Sequence, residues 1–266
     1  MSETAVQPSI GWGVLHLFYR VDRERLGDPD AAKRFGSAVE ALERDGHQAL
    51  TFAVLGHKAD LGVMALGPDL HRLQAFQHEL LGAAPLIPTW SYLSLTEMSE
   101  YGQTEEEERH RLIGRGAGAE EVEEGLAAFR VRIAEYLEHR LHPRLPMKRL
   151  ICFYPMTKRR TGSSGSGSGD NWYRLSFEER RSLMGGHARV GRSFSGRILQ
   201  LVTGSFGLDD WEWGVTLLAD DPVALKEILY EMRFDQVSAL YGEFGPFIVG
   251  LLSEPAEVAR RVGLAG

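Results

Sequence analysis

Tyr154, Met156 and Lys158 alternate in the run "FYPMTK", a spacing that puts all three on one face of a strand. A phenol beside a cation, close to a redox metal, could be oxidised or could hydrogen-bond a carboxylate. Without such a metal the same phenol is an ordinary strand-end aromatic, and these residues alone leave both readings open. His187 is a second candidate. It follows two glycines in "LMGGHARVG", near the end of an amphipathic stretch, where bulk is least and something large could approach. Its spacing fits a core or surface histidine as well as a ligand.

The other histidines offer less. His47, His57, His71, His78 and His110 sit among polar residues and read as surface groups. His16 lies in a strand, and His139 and His142 flank the end of a long helical stretch next to Arg140. No HExxH, no CxxCH and no closely spaced His/Asp/Glu set occurs, so neither a zinc site nor covalently attached haem is supported. One histidine with an open opposite face, however, is a normal way to hold haem iron. Phosphate-loop and nucleophile-elbow patterns are absent. "GSGSGD" lacks the strand–turn–helix setting a phosphate loop needs.

Bulk properties narrow the class. The 266 residues carry a net charge of -7 and a single cysteine, Cys152. One cysteine excludes an intrachain disulfide and suits a reducing compartment. No run is apolar enough for a membrane span, and the N-terminus lacks the order of a signal peptide, so the expectation is a cytoplasmic protein. An acidic chain is not expected to seek nucleic acid. Charge is uneven, though: residues 143–200 hold twelve Lys/Arg against three acids, a local excess of +9. This reads either as solvated helix faces or as a site for a small polyanion with several carboxylates.

The elements that must position these residues repeat. The first half reads strand ("WGVLHLFYRV"), helix from an Asp28 cap and Pro29, hairpin ("QALTFAVLG", "DLGVMALG"), helix from Asp69, and strand ("IPTWSYLSLTEMSEY"). The second half has the same order, from "RLICFYP" through a helix, a hairpin, a helix capped at Asp221-Pro222, and a last strand "VSALYGEFGPFIVGLL". Each half is βαββαβ, so the predicted class is α+β, two tandem ferredoxin-like repeats forming a dimeric α+β barrel within one chain. The expected parts are an N-terminal repeat over 1–101, a connecting helical segment over 102–147 and a C-terminal repeat over 148–266. Phe18-Tyr19 and Phe153-Tyr154 are 135 apart, whereas Pro68 and Pro222 are 154 apart. Most of the difference falls where "TGSSGSGSGD" stands. The Gly/Ser tract 162–169 is therefore an insertion in a loop beside the candidate residues, expected to be poorly ordered, and not a linker between domains.

Three stretches carry a family resemblance: "CFYPMTKRR", "NWYRLSFEERRSLMGGHARVGRSFSGRILQLVTGSFGLDDWEWGVTL" and "DDPVALKEILYEMRFDQVSALYGEFGPFIVG". They resemble the coproheme decarboxylase branch of the chlorite dismutase-like superfamily, and the likeness spans essentially the whole chain. The resemblance implies peroxide-dependent decarboxylation of two propionates of iron coproporphyrin III, which is substrate and redox cofactor together, giving haem b. It implies His187 as the iron ligand, Tyr154 as the residue that becomes a radical, and Lys158 as partner of the reacting carboxylate. Met156 would pack at the porphyrin edge. Arg140 and Ser238 would contact propionates, and Gln200 would stand at the distal position. It further implies a homopentamer and transient contact with the coproporphyrin ferrochelatase. A distal base from His139, His142 or neither stays open. Chlorite dismutase or haem peroxidase chemistry is the alternative activity, and non-catalytic haem binding the alternative class. A glutamine where chlorite dismutases use arginine argues against chlorite chemistry.

Overall fold

Alternating apolar residues in 13–21 produce the first strand, β1 (Gly13–Val21), with every side chain but Arg20 buried. The computed structural model describes residues 5–160 and 171–264, so the Gly/Ser tract lies outside the described residues. The first repeat continues with α1 (Ala31–Arg44), β2 (Gln48–Val54), β3 (Leu61–Gly67), α2 (Leu70–Ala83) and β4 (Leu86–Thr96). Two helices, α3 (Glu105–Gly114) and α4 (Ala119–Leu141), lead to the second repeat. That repeat contains β5 (Leu150–Lys158), α5 (Phe177–Ser193), β6 (Ile198–Gly204), β7 (Trp213–Ala219), α6 (Pro222–Met232), α7 (Gln236–Tyr241), β8 (Gly242–Phe244), β9 (Ile248–Leu252) and α8 (Pro255–Val262).

The strands run β7-β6-β4-β1-β3-β2-β9-β5, and β5 pairs back onto β7, which closes the sheet into a barrel. Within it, β4-β1-β3-β2 and β6-β7-β5-β9 are two ferredoxin-like sheets. They join at β4–β6 and β2–β9. Alternation along each strand then sorts side chains into an interior and an outer face. The interior draws on both repeats: Phe18, Phe52, Met64, Tyr92, Ile151, Phe153 and Leu218. His16 belongs there, stacked on Phe153 with ring centroids 3.9 Å apart and its Nε2 2.9 Å from Thr216 Oγ1. Burial holds its pKa down at about 3, so it stays neutral.

Four local expectations are corrected. Helix α1 starts at Ala31, because Asp28 accepts the Asp30 N–H and pairs with Arg34, leaving it outside the helix. The segment expected as one last strand is α7, β8 and β9: Asp235 caps a short helix through the Ser238 N–H, and Gly245-Pro246 separates the two short strands. His47 is buried, its ring pressed against Gly67, where an added Cβ would come within 2.1 Å. Glu108, in the run "TEEEERHRL" whose acids read as a solvated face, is buried against Arg111 and Gln103.

Candidate active site

Strand β5 aims Leu150, Cys152, Tyr154 and Met156 at the outer face of the second repeat. Tyr154 is buried there, stacked on Phe247 at 4.5 Å and tilted against Phe244 at 5.9 Å. Burial pushes its phenol above the ordinary range, so the hydroxyl keeps its proton. Met156 is half-buried and sits opposite Trp213 of β7 and Phe244 of β8. Lys158 ends the strand, 6% exposed, with Nζ 5.0 Å from the centre of the Trp172 ring. Desolvation lowers its pKa to about 8, against the opposing pull of Asp235 and Glu212.

His187 lies on α5, which begins at a Ser176–Glu179 capping box. Its Nδ1 is 2.8 Å from Asp235 Oδ2. A carboxylate only accepts, so Nδ1 carries the proton and Nε2 keeps its lone pair. The same Oδ2 accepts the Ser238 N–H at 3.0 Å. Asp235 thus caps α7 and orients the imidazole with one oxygen. Burial lowers the His187 pKa and the Asp235 hydrogen bond partly offsets it. Among the described residues no three His, Cys, Asp or Glu converge as a metal site.

Helix α5 covers its sheet differently from its counterpart. In the first repeat α1 buries Ala31, Phe35, Val39 and Leu42 completely, whereas α5 buries no residue. It leans on α6 and α7, and Gly185 and Gly186 face open space. Beneath it Gln200 is exposed, with Nε2 3.3 Å from the Gly191 carbonyl. A sheet face carrying Tyr154, Met156 and Gln200 is therefore left incompletely covered. Such a face beside an available imidazole nitrogen suits a flat macrocycle. A separate cavity of about 510 Å³ lies between α4 and α5, lined by Tyr101, Arg132, Tyr136, Gly185 and Arg192 among others, but by none of the seven predicted site residues.

The seven do not form one cluster. Lys158, His187 and Ser238 converge around Asp235. Tyr154 and Met156 lie along the same strand, and Gln200 is on β6. Arg140 approaches from α4, its Nε donating to the Glu97 carbonyl at 2.7 Å. The Glu97 carboxylate accepts the Trp213 indole N–H at 3.0 Å, which joins this corner to Met156. His139 is exposed, and His142 is held by Glu138 and packs on Trp12. The basic excess is partly compensated: Lys148, Arg159, Arg160, Arg181 and Arg197 pair with acids from outside the segment. Arg174, Arg189 and Arg192 have no carboxylate partner among the described residues. Sequence reading missed Asp235, Trp172 and Glu212. Asp235 had a signal, since Asp three residues before Ser238 is helix-start spacing; Glu212 had none.

Fold and site together define a dimeric α+β barrel whose helix α5 carries a carboxylate-anchored histidine, His187. The family model described as chlorite dismutase matches residues 29–253. A coproheme decarboxylase of Staphylococcus carnosus (strain TM300) is 38% identical over 255 residues, covering 90% of this chain and 91% of that protein. A solved structure described as a novel heme-binding protein from Thermus thermophilus superposes with a TM-score of 0.76 at 35% identity, covering 99% of each chain. A mutant chlorite dismutase from Candidatus Nitrospira defluvii shares the fold, with a TM-score of 0.67 at 14% identity over 96% of this chain and 97% of that one. The chain belongs to the chlorite dismutase family.

Proposed function

We propose that this protein is a coproheme decarboxylase that uses hydrogen peroxide to convert two propionates of iron coproporphyrin III to vinyl groups, giving haem b. The observation that carries the reading is His187, fixed through Nδ1 by Asp235, on a helix, α5, that buries none of its own residues beside the strand carrying Tyr154 and Lys158. The 38% identity to a coproheme decarboxylase over most of both chains supports the same assignment.

Bound iron coproporphyrin supplies the two-electron oxidising chemistry with peroxide. In each round one propionate loses CO2 and two hydrogens while one peroxide becomes two waters. Nε2 of His187 would ligate the iron from one side and leave the other open. The protonated Tyr154 phenol can give up its hydrogen atom and then take one from the propionate chain. Lys158 would pair with the departing carboxylate, and its lowered pKa lets it release or accept a proton near neutral pH. Arg140 and Ser238 would hold other carboxylates, Met156 would pack at the porphyrin edge, and Gln200 would stand on the distal side. Homopentamer assembly, a cytoplasmic setting and transient contact with the coproporphyrin ferrochelatase complete the reading. Among the described residues no helix is long and apolar enough to cross a membrane.

Mass spectrometry of porphyrin incubated with the protein and peroxide tests it. Two successive losses of CO2 plus two hydrogens are expected. Unchanged porphyrin would leave a haem-binding protein without this activity, and oxygen evolution from chlorite would favour the chlorite dismutase reading.

A further inference from the structure

We propose that Glu212 is the positioning residue for Lys158, its carboxylate pinning the strand end that carries this lysine to the start of β7. The inference rests on the site reading above, but its contacts are separate from those of His187.

Glu212 directly precedes β7 and is 8% exposed. A buried carboxylate is unfavourable unless its lone pairs are satisfied. Two pieces of chain meet this one. Oε2 accepts the Lys158 main-chain N–H at 2.8 Å. Oε1 faces Arg160 Nε at 3.9 Å, just beyond the strand. The chain there is bonded in turn to residues 171 and 172, since the Trp172 N–H donates to the Arg159 carbonyl at 3.0 Å and Asn171 Nδ2 donates to the Arg160 carbonyl. Glu212 itself is fixed by main-chain bonds, donating to Met156 O at 3.2 Å and accepting from Ser205 N at 2.8 Å.

The arrangement does something specific for Lys158. No carboxylate lies within ion-pair distance of its Nζ among the described residues, and the ammonium instead rests over Trp172. Trp172 is held there by its main-chain bond to the Arg159 carbonyl, one residue beyond the lysine. The lysine is thus located through its backbone and its aromatic support while its ammonium stays unpaired. That is the state needed to meet a ligand carboxylate without first breaking an ion pair.

The test uses the full chain. In E212A, amide hydrogen exchange over residues 153–160 should accelerate by about tenfold, the size of one lost charge-assisted hydrogen bond. The visible spectrum and affinity for iron coproporphyrin should be retained while kcat for decarboxylation falls by about tenfold. E212Q, which keeps an acceptor for the Lys158 N–H, should recover most of both effects. E212D, which draws the carboxylate back by one carbon from the Lys158 N–H, should raise exchange over 153–160 in part and serves should E212A not fold. Unchanged exchange in folded E212A or in E212D overturns the proposal, as does equal loss in E212Q and E212A. Should the wild type leave the porphyrin unchanged, the functional reading fails while the exchange measurement still decides the anchor.

Discussion

Asp235 Oδ2 accepts from both the His187 ring, at 2.8 Å, and the Ser238 main-chain N–H, at 3.0 Å. A single oxygen therefore couples the start of α7 to the orientation of the imidazole. D235N keeps a side-chain oxygen for the cap but loses the anion. It should fold within about 1 kcal/mol of wild type while weakening iron coproporphyrin affinity by about 10–100-fold. Spectral titration reads the affinity and urea denaturation the stability. An unchanged affinity would remove Asp235 from the control of His187.

Tyr154 packs between Phe244 and Phe247 and keeps its proton through burial. Y154F preserves that packing, so porphyrin binding and fold should persist. Decarboxylation should fall by at least about a hundredfold, the scale of losing a positioned hydrogen-transfer group. A wild-type rate in Y154F would remove the radical role.

Lys158 gives a pH dependence whose sign is fixed. Its folded pKa of about 8 lies below the ordinary lysine value of 10.5, so the unfolded chain binds more protons between those values and stability rises with pH there. Below about pH 8 the penalty is fully present, on the order of 3 kcal/mol. Ligand-free K158M should therefore be more stable than wild type at pH 7, with the difference shrinking above pH 8 in urea titrations. Its porphyrin turnover should be lost. A K158M protein no more stable than wild type at pH 7 would contradict the burial argument.

The two helices that begin each repeat should respond differently to truncation. Phe35 of α1 is fully buried, and F35A should cost about 3–5 kcal/mol. Leu183 of α5 is only half-buried, and L183A should cost about 1 kcal/mol or less in the ligand-free protein. Saturating iron coproporphyrin should stabilise the wild type by mass action, and L183A should lose part of that gain. Thermal melts with and without porphyrin make the comparison.

Much of the fold is legible in the sequence because periodicity reports burial. The two sets of alternating strands, the Asp69 and Asp221 caps and the long helix over 119–141 stand where the patterns put them. The last strand is misread because "VSALYGEF" is apolar enough for either element, and the Asp235 cap decides it. His47 has polar neighbours in sequence, yet a bare Gly67 on the facing strand admits its ring. Among the candidate site residues, alternation puts Tyr154, Met156 and Lys158 on one strand face, and only the family resemblance gives them roles. Asp235 and Glu212 act across 48 and 54 residues, and no local pattern encodes contacts at that separation.

The ring of strands has no free margin: β4 runs on into β6 and β2 into β9. Neither copy of the duplicated unit can open without tearing a seam it shares with its twin. One copy is filled solid by α1, α2 and α8, and through those seams it lends its rigidity to the other. Duplication thereby lets the C-terminal copy carry a helix, α5, that buries no residue, a condition that an isolated ferredoxin-like unit of half this size could scarcely survive.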